Sequence, residues 1–155
     1  MGMKVNIGDI VRITPFEAGY IGGINHIPEM ENHIGEVHVV IKIWNRRISL
    51  DASSYYWSDE VLEEVKEPHT VARYNHSKKV FERVKYDSQN NIWQTESGDE
   101  VSSGYVGIIE KKAIALPYDI YNVGKKGNEA QAVYFKERYY LSSEYLPMYG
   151  IIEVG

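Results

Sequence analysis

The chain of 155 residues contains no cysteine, which excludes disulfide bonds, thiolate metal sites and cysteine nucleophiles. It has no apolar run near the roughly 18 residues that a membrane-spanning helix needs, and no signal-peptide pattern. Phenylalanine is scarce, with 3 residues against 13 tyrosines. Tyrosine suits half-buried sheet surfaces where one end of the ring stays in water. These features predict a small sheet protein of a reducing cytoplasm that makes no membrane contact.

Excess positive charge is also missing, since the formal net charge is −5. Residues 1–67 hold 6 basic and 11 acidic side chains, whereas residues 68–155 hold 11 of each. The whole excess of negative charge therefore lies in the first half. Such a surface repels phosphate backbones and favours a protein partner with a basic surface over nucleic acid.

Catalytic and cofactor motifs are absent as well. The glycines of Gly22-Gly23 and of the segment 124–127 do not have the spacing of a phosphate loop, and no G-x-S-x-G elbow occurs. His26, His33 and His38 lie close in sequence, but their spacing matches no zinc-ligand pattern. The sequence therefore predicts a protein that is not an enzyme and that binds neither metal nor cofactor.

One segment occurs twice. The residues Tyr55 to Leu62 read YYWSDEVL, and Tyr139 to Leu146 read YYLSSEYL, at an offset of 84 positions. A repeated segment usually indicates a repeated structural unit. Trp57 and Leu141 occupy equivalent places in the two copies, which favours a core role for both. Alternation was taken to place Tyr55 and Tyr139 on the outer side, although which tyrosine of each pair faces out stays open.

Period-two alternation predicts one long strand in the first half. Gly35 opens it, and a wholly aliphatic set of side chains points one way: Val37, Val39, Ile41 and Ile43. The opposite face carries His38, Val40, Lys42 and Trp44. Further on, Ser58 is expected to cap one helical turn over residues 59–64.

Short strands, a long first loop, a hairpin and a closing turn are typical of an SH3-like barrel of about 60 residues. Over residues 3–65 the chain resembles small SH3-like proteins common among uncharacterised bacteriophage products. The resemblance is carried by Gly8-Asp9-x-Val11-Arg12, Tyr20-x-Gly22-Gly23, Met30, Gly35 and Trp57-Ser58-x-Glu60-Val61-Leu62-Glu63. It implies a phage or prophage origin, hence the cytoplasm of a bacterial host, and implies no activity.

We therefore predict an all-β (mostly β) fold with two SH3-like small barrels in tandem and helix limited to single turns. The first barrel spans residues 1–67. The second unit spans residues 68–155 and carries an added β-hairpin region at about 71–101. In this second unit, residues 120–123 are expected to match the long strand of the first.

The predicted contact surface for a partner lies at the acidic end of the first barrel. It consists of acids near the closing turn and aromatic residues beside them: Trp44, Tyr55, Asp59, Glu60, Glu63 and Glu64. An exposed tryptophan is a typical interface anchor, and clustered acids attract a basic partner. The alternative also stands, namely that Trp44 packs against the second barrel and the acids are merely solvated.

The leading functional hypothesis is a non-enzymatic, phage-encoded module that binds a host protein and inhibits a host defence system, as anti-CRISPR proteins do. This hypothesis rests on analogy of origin and charge. The alternative is a protein that binds nucleic acid or nucleotides through the second half, with Lys78, Lys111 and Lys125 as the anion-binding residues. A third reading is a structural component of the virion.

Overall fold

The computed structural model describes residues 4–78, 80–115, 129–136 and 138–141, and these form antiparallel sheets joined by short 3-10 helices. The predicted all-β class is confirmed. In the first half, the elements in chain order are β1 (Ile10–Ile13), β2 (Gly19–Ile21), β3 (Ile24–His26), the 3-10 helix η1 (Pro28–His33), β4 (Val37–Trp44), β5 (Arg47–Leu50), β6 (Tyr56–Trp57), the 3-10 helix η2 (Asp59–Val61) and β7 (Leu62–Glu64).

Five of these strands form the first sheet, in the order β6-β5-β4-β1-β7, while β2 and β3 form a separate hairpin. The closing helical turn is shorter than predicted. It ends at Val61, and residues 62–64 form β7, which pairs with β1. Ser58 does cap this turn, because its hydroxyl accepts the Glu60 N–H at 3.1 Å. The last part of the predicted turn is extended because it closes the sheet on β1.

The core of this first region surrounds Trp57, which is fully buried. It is built from side chains of β1, η1, β4 to β7 and the preceding loop: Val5, Val11, Ile13, Met30, Val40, Ile48, Leu50, Trp57, Val61 and Leu62. Fully burying one large apolar side chain stabilises a fold by about 1.5–3 kcal/mol, so this set supplies most of the driving force for the first sheet. The predicted core role of Trp57 is confirmed.

Strand β4 contributes to two cores. Val40 packs into the Trp57 core, whereas Val39 is fully buried on the opposite face in a second cluster. The pairing of β4 with β5 shifts register between Val40 and Lys42, which is a β-bulge at Ile41. Because of the bulge, Ile43 packs on the Trp57 core rather than on the side of Val39. The predicted alternation is therefore right up to Ile41 and wrong for Ile43.

The second half forms a seven-stranded sheet. Its elements are β8 (Thr70–Asn75), β9 (Val80–Asp87), β10 (Ile92–Thr95), β11 (Glu100–Val101), the 3-10 helix η3 (Ser103–Tyr105), β12 (Gly107–Ala115), β13 (Glu129–Phe135) and β14 (Arg138–Leu141). The order is β11-β10-β9-β8-β12-β13-β14, so the predicted hairpin region 71–101 is an integral part of this sheet. Two short strands predicted at 105–110 and 113–116 are one nine-residue strand, β12.

The two sheets share the second hydrophobic cluster. Val39 of β4 packs with Val84, Trp93 and Val106 of the second half, and the Trp93 indole N–H donates to the Ile41 carbonyl at 3.0 Å. Strands of the first sheet end at Glu64 and those of the second begin at Thr70, close to the predicted boundary. That the two halves are SH3-like barrels stays a prediction.

The repeated segment keeps its pairing. Tyr56-Trp57 of β6 pairs with Ser49 and Ile48 of β5, and the positions 84 residues later pair in the same register, Tyr140 with Val133 and Leu141 with Ala132. Residues 120–123, which were expected to match β4, lie outside the described residues. In the described part of the chain, no helix is long and apolar enough to cross a membrane.

Candidate binding surface

The outer face of β4, β5 and β6 carries the most exposed aromatic residues of the first sheet. The ladder aligns Lys42 with Ser49 and Ser49 with Tyr56, and it aligns Trp44 with Arg47. Directly paired residues of a sheet point to the same side. Lys42, Trp44, Arg47 and Tyr56 therefore share one side, and we call them the aromatic–cationic face. Their neighbours Ile43, Ile48 and Trp57 point inward to the Trp57 core.

Trp44 lies at the end of β4, next to a tight hairpin turn. Asn45 and Arg46 both have positive φ angles, 48° and 65°, as the central residues of a type I′ turn require. The Trp44 side chain is 60% exposed, and the Arg47 guanidinium carbon lies 5.4 Å from its ring centroid. This is cation–π geometry. The short hairpin and the arginine hold the indole outside the core.

The exposed member of the tyrosine pair is Tyr56, which is 50% exposed. Tyr55 is only partly exposed, because its ring packs against His33 and Trp57 at centroid distances of 5.8 and 6.2 Å. The prediction that Tyr55 faces outward is wrong. Alternation already contained the signal, since Tyr55 and Trp57 are two residues apart and Tyr56 lies between them.

The four predicted acids lie on two elements. Asp59 and Glu60 belong to η2, and Glu63 and Glu64 belong to β7. We call these four residues the acidic edge, because β7 is at one end of the strand order. Asp59 is half-buried, the other three are exposed, and Glu63 faces Arg12 at 3.7 Å. Charged side chains on an end strand also prevent unwanted strand pairing.

The structure divides the predicted surface into these two parts. Trp44 is on β4, whereas Glu63 and Glu64 are on β7, which β1 separates from β4 in the sheet. The charged side chain that the ladder places beside Trp44 is Arg47, a cation. Tyr56 is the aromatic residue nearest the acids in sequence, three positions before Asp59. Lys42, Arg47 and Tyr56 were absent from the predicted site because hairpin register decides which side chains lie beside Trp44.

The three histidines have separate roles. His26 is fully buried, and its ring places Nδ1 2.9 Å from the Ile24 carbonyl while Nε2 accepts the Ser58 N–H at 3.3 Å. This arrangement requires the neutral tautomer with the proton on Nδ1. His26 therefore joins the β3 hairpin to the start of η2. Among the described residues, no group of three or more histidine, aspartate and glutamate side chains is arranged to hold a metal ion.

His38 is the centre of a buried polar network. Its Nδ1 lies 3.2 Å from Asp51 Oδ1 and its Nε2 lies 2.9 Å from Glu36 Oε1, which also contacts His33 Nδ1 at 3.0 Å. Burial by itself lowers the pKa of His38, but hydrogen bonds and charge attraction from Asp51 and Glu36 outweigh it and raise the pKa to about 9. His38 is therefore a cation at neutral pH.

The lysines of the alternative site are only partly placed. Lys78 is exposed in the turn after β8, where its backbone N–H donates to the Asn75 side chain at 3.1 Å. Lys111 pairs with Val133 in the middle of β12. Lys125 lies outside the described residues. No observation on the described residues brings the three together.

Comparison of the chain with protein-family models, with curated proteins and with solved structures finds no match. The surfaces described above are thus the basis for assigning a function.

Proposed function

We propose that the protein is a non-enzymatic protein-binding module whose anchor is Trp44 on the aromatic–cationic face. The observation that carries this proposal is the 60% exposure of a tryptophan on a tight two-strand hairpin. A large indole left in water contributes little to folding, but it supplies much apolar area to an interface at low cost in side-chain entropy.

The composition of the face also supports a protein partner. Trp, Tyr and Arg are the residues most enriched among those that dominate binding energy, and Trp44, Tyr56 and Arg47 share this face. Its strands are backed by the Trp57 core, so the face is preorganised and little ordering is required on binding. A matching partner surface offers an apolar pocket for the indole with carboxylates near Arg47 and Lys42.

The acidic edge has a different role in this proposal. It and the net charge of the first half attract a basic region of the partner over a longer range, which raises the association rate more than the affinity. The partner surface is thus mixed in charge: basic where it approaches the acidic edge, and apolar with carboxylates where it takes Trp44.

The resemblance to small phage barrels supports a host protein as the partner and the cytoplasm of the bacterial host as the place of action. A phage protein of this kind benefits from blocking a host defence protein, as anti-CRISPR proteins do. This inhibitory role is proposed from that resemblance and from the protein-binding face together.

The test is affinity capture from lysate of a candidate bacterial host, with and without nuclease. Wild-type protein and the variant Trp44→Ala are compared, and Tyr20→Ala is the matched control because it removes a 79% exposed aromatic ring from the separate β2–β3 hairpin. We expect one protein to be captured by the wild type and by Tyr20→Ala, and at least tenfold less by Trp44→Ala.

Loss of all captured material on nuclease treatment would contradict the proposal and favour the nucleic-acid alternative. Equal capture by wild type and Trp44→Ala would show that the aromatic–cationic face is not the anchor. Because Trp44 is mostly exposed, its replacement is not expected to unfold the chain, and a thermal melt of each variant checks this.

A further inference from the structure

Strands β8 and β9 diverge inside the second sheet. Their pairing runs from Asn75 and Val80 to Ala72 and Arg83, and it stops there. Beyond that point β8 continues along β12, with Val71 paired to Ile108. Strand β9 continues to Asp87 along β10. Within the described residues, the side of β9 that faces β8 therefore has no ladder partner after Arg83.

A cavity of about 620 Å³ lies where the two strands separate. One wall is the start of β8 at residues 69–71, the other is the segment 7–9, and the floor is formed by residues 83–86 of β9. The volume falls within the range of ligand-binding clefts, roughly 300–1,000 Å³. The floor is extended backbone, which suits an added strand better than a compact ligand.

The side chains of β9 alternate in character along this floor. Val84 and Tyr86 belong to the cluster shared with β4, together with Trp93. Arg83 and Lys85 are exposed and point to the opposite side, as period-two geometry requires. A strand laid along β9 would therefore meet apolar groups on one side and cations on the other.

The charge of the cleft is positive on balance. Arg83 and Lys85 line it with His69, whose Nδ1 lies 2.8 Å from the Glu67 carbonyl. The carboxylate on the opposite wall, Asp9, already accepts the Asn6 N–H at 2.8 Å. Local charge therefore selects an acidic ligand, in contrast to the negative charge of the first half.

We propose that the cleft between β8 and β9 binds an extended segment of a partner protein in which acidic and apolar residues alternate, added as a strand along β9. Backbone hydrogen bonds to residues 84–87 give the affinity, and the acidic side chains pair with Arg83 and Lys85. The apolar side chains cover Val84 and Tyr86. This site goes beyond the function proposed above, because it lies in the second sheet and does not include the aromatic–cationic face.

The test uses a blocked hexapeptide of alternating glutamate and valine, titrated into the full chain and followed by NMR amide shifts and calorimetry. We expect saturable binding with the largest shifts at residues 84–87. The variant Lys85→Glu should weaken this binding at least tenfold and should instead bind a lysine–valine hexapeptide. Lys66→Glu, which reverses an exposed lysine outside the cleft, should bind the glutamate peptide almost as the wild type does.

A glutamate–valine peptide with alternate backbone nitrogens methylated should not bind, because it cannot pair as a strand. Equal binding of the methylated peptide, no binding at millimolar concentration, or binding unchanged by Lys85→Glu would each overturn the proposal. A wild-type dimer with residues 84–87 already protected from exchange would identify a second copy as the occupant and also overturn it. Trp44→Ala should leave peptide binding intact, which separates this site from the aromatic–cationic face.

Discussion

The two copies of the repeated segment have the same strand pairing but different neighbours. Strands β5 and β6 pair in the register that β13 and β14 reproduce 84 residues later. The strand on the other side is not reproduced at that offset. Trp44 is opposite Arg47 in the first copy, whereas Gln131, the equivalent of Arg47, is opposite Ala113 in the second. The repeat thus preserved a returning hairpin and not the residues that make the aromatic–cationic face.

A repeat of this kind shows which positions maintain the fold and which are free to change. Tyr56 and Tyr140 are the same residue at the same ladder position, but Trp44 and Arg47 have no counterparts by pairing. Features found in one copy alone are therefore the better candidates for function, and the following experiments test that distinction.

The largest effect is expected at the core position of the repeat. Trp57→Ala should reduce the free energy of unfolding by about 3–5 kcal/mol, because it leaves a large cavity where the indole is fully buried. Tyr56→Ala, its half-exposed neighbour, should cost less than about 1 kcal/mol. Urea unfolding of both variants measures the difference. Similar losses at the two positions would show that β6 does not present alternate faces to core and solvent.

The second effect concerns the polar network of the first copy. Positions 84 residues after His38 and Asp51 are Asn122 and Phe135, so the second copy lacks this pair. The pKa of His38 is raised to about 9 in the folded chain, against an ordinary value of 6.5. Its contribution to stability is thus fully present below pH 6.5 and is lost as the pH rises to 9.

This shift corresponds to a change on the order of 3 kcal/mol in the free energy of unfolding. Urea unfolding at intervals between pH 6 and 9.5 measures it. In His38→Gln the slope over this window should nearly vanish, while the stability at pH 6 falls. A wild-type stability that stays level from pH 6.5 to 9 would contradict a protonated His38 in the folded state.

The third effect separates anchor from core. Trp44→Ala should change the free energy of unfolding by less than about 1 kcal/mol, because only the contact with Arg47 is lost. Calorimetric melting of this variant and of Ala113→Trp, which places an indole at the matching ladder position of the second copy, sharpens the comparison. If the proposed face is the anchor, Ala113→Trp should not restore partner capture to a chain that lacks Trp44.

The smallest effect on stability is expected at the acidic edge. Reversing Glu63 and Glu64 to lysine should alter the free energy of unfolding by less than about 0.5 kcal/mol, since the pair of Glu63 with Arg12 is solvent-exposed. The association rate with the captured partner should fall severalfold at low salt and less at high salt. An association rate that does not depend on these charges would leave the acidic edge with a role only in preventing strand pairing.

Some of this organisation was predictable from periodicity alone. Alternation places Val37 and Val39 on one face of β4, and the equivalence of Trp57 with Leu141 indicates a core position. Two features depend on pairing that no single segment encodes. Ile43 changes sides because β5 is paired through a bulge. The cleft along β9 exists because β8 leaves it to pair with β12.

The bulge at Ile41 has a consequence for how such a chain could arise. In a bulge one strand carries an extra residue that is left out of the regular pairing. Without Ile41, Val40 would still point inward, Lys42 outward and Ile43 inward, so the first sheet does not need this residue for its own alternation. Yet the Ile41 carbonyl accepts the Trp93 indole N–H. A single inserted codon could therefore have given an already complete sheet its attachment point for the second half. Deleting Ile41 should then shift the Trp93 indole resonance far more than the amides of β6 and β7.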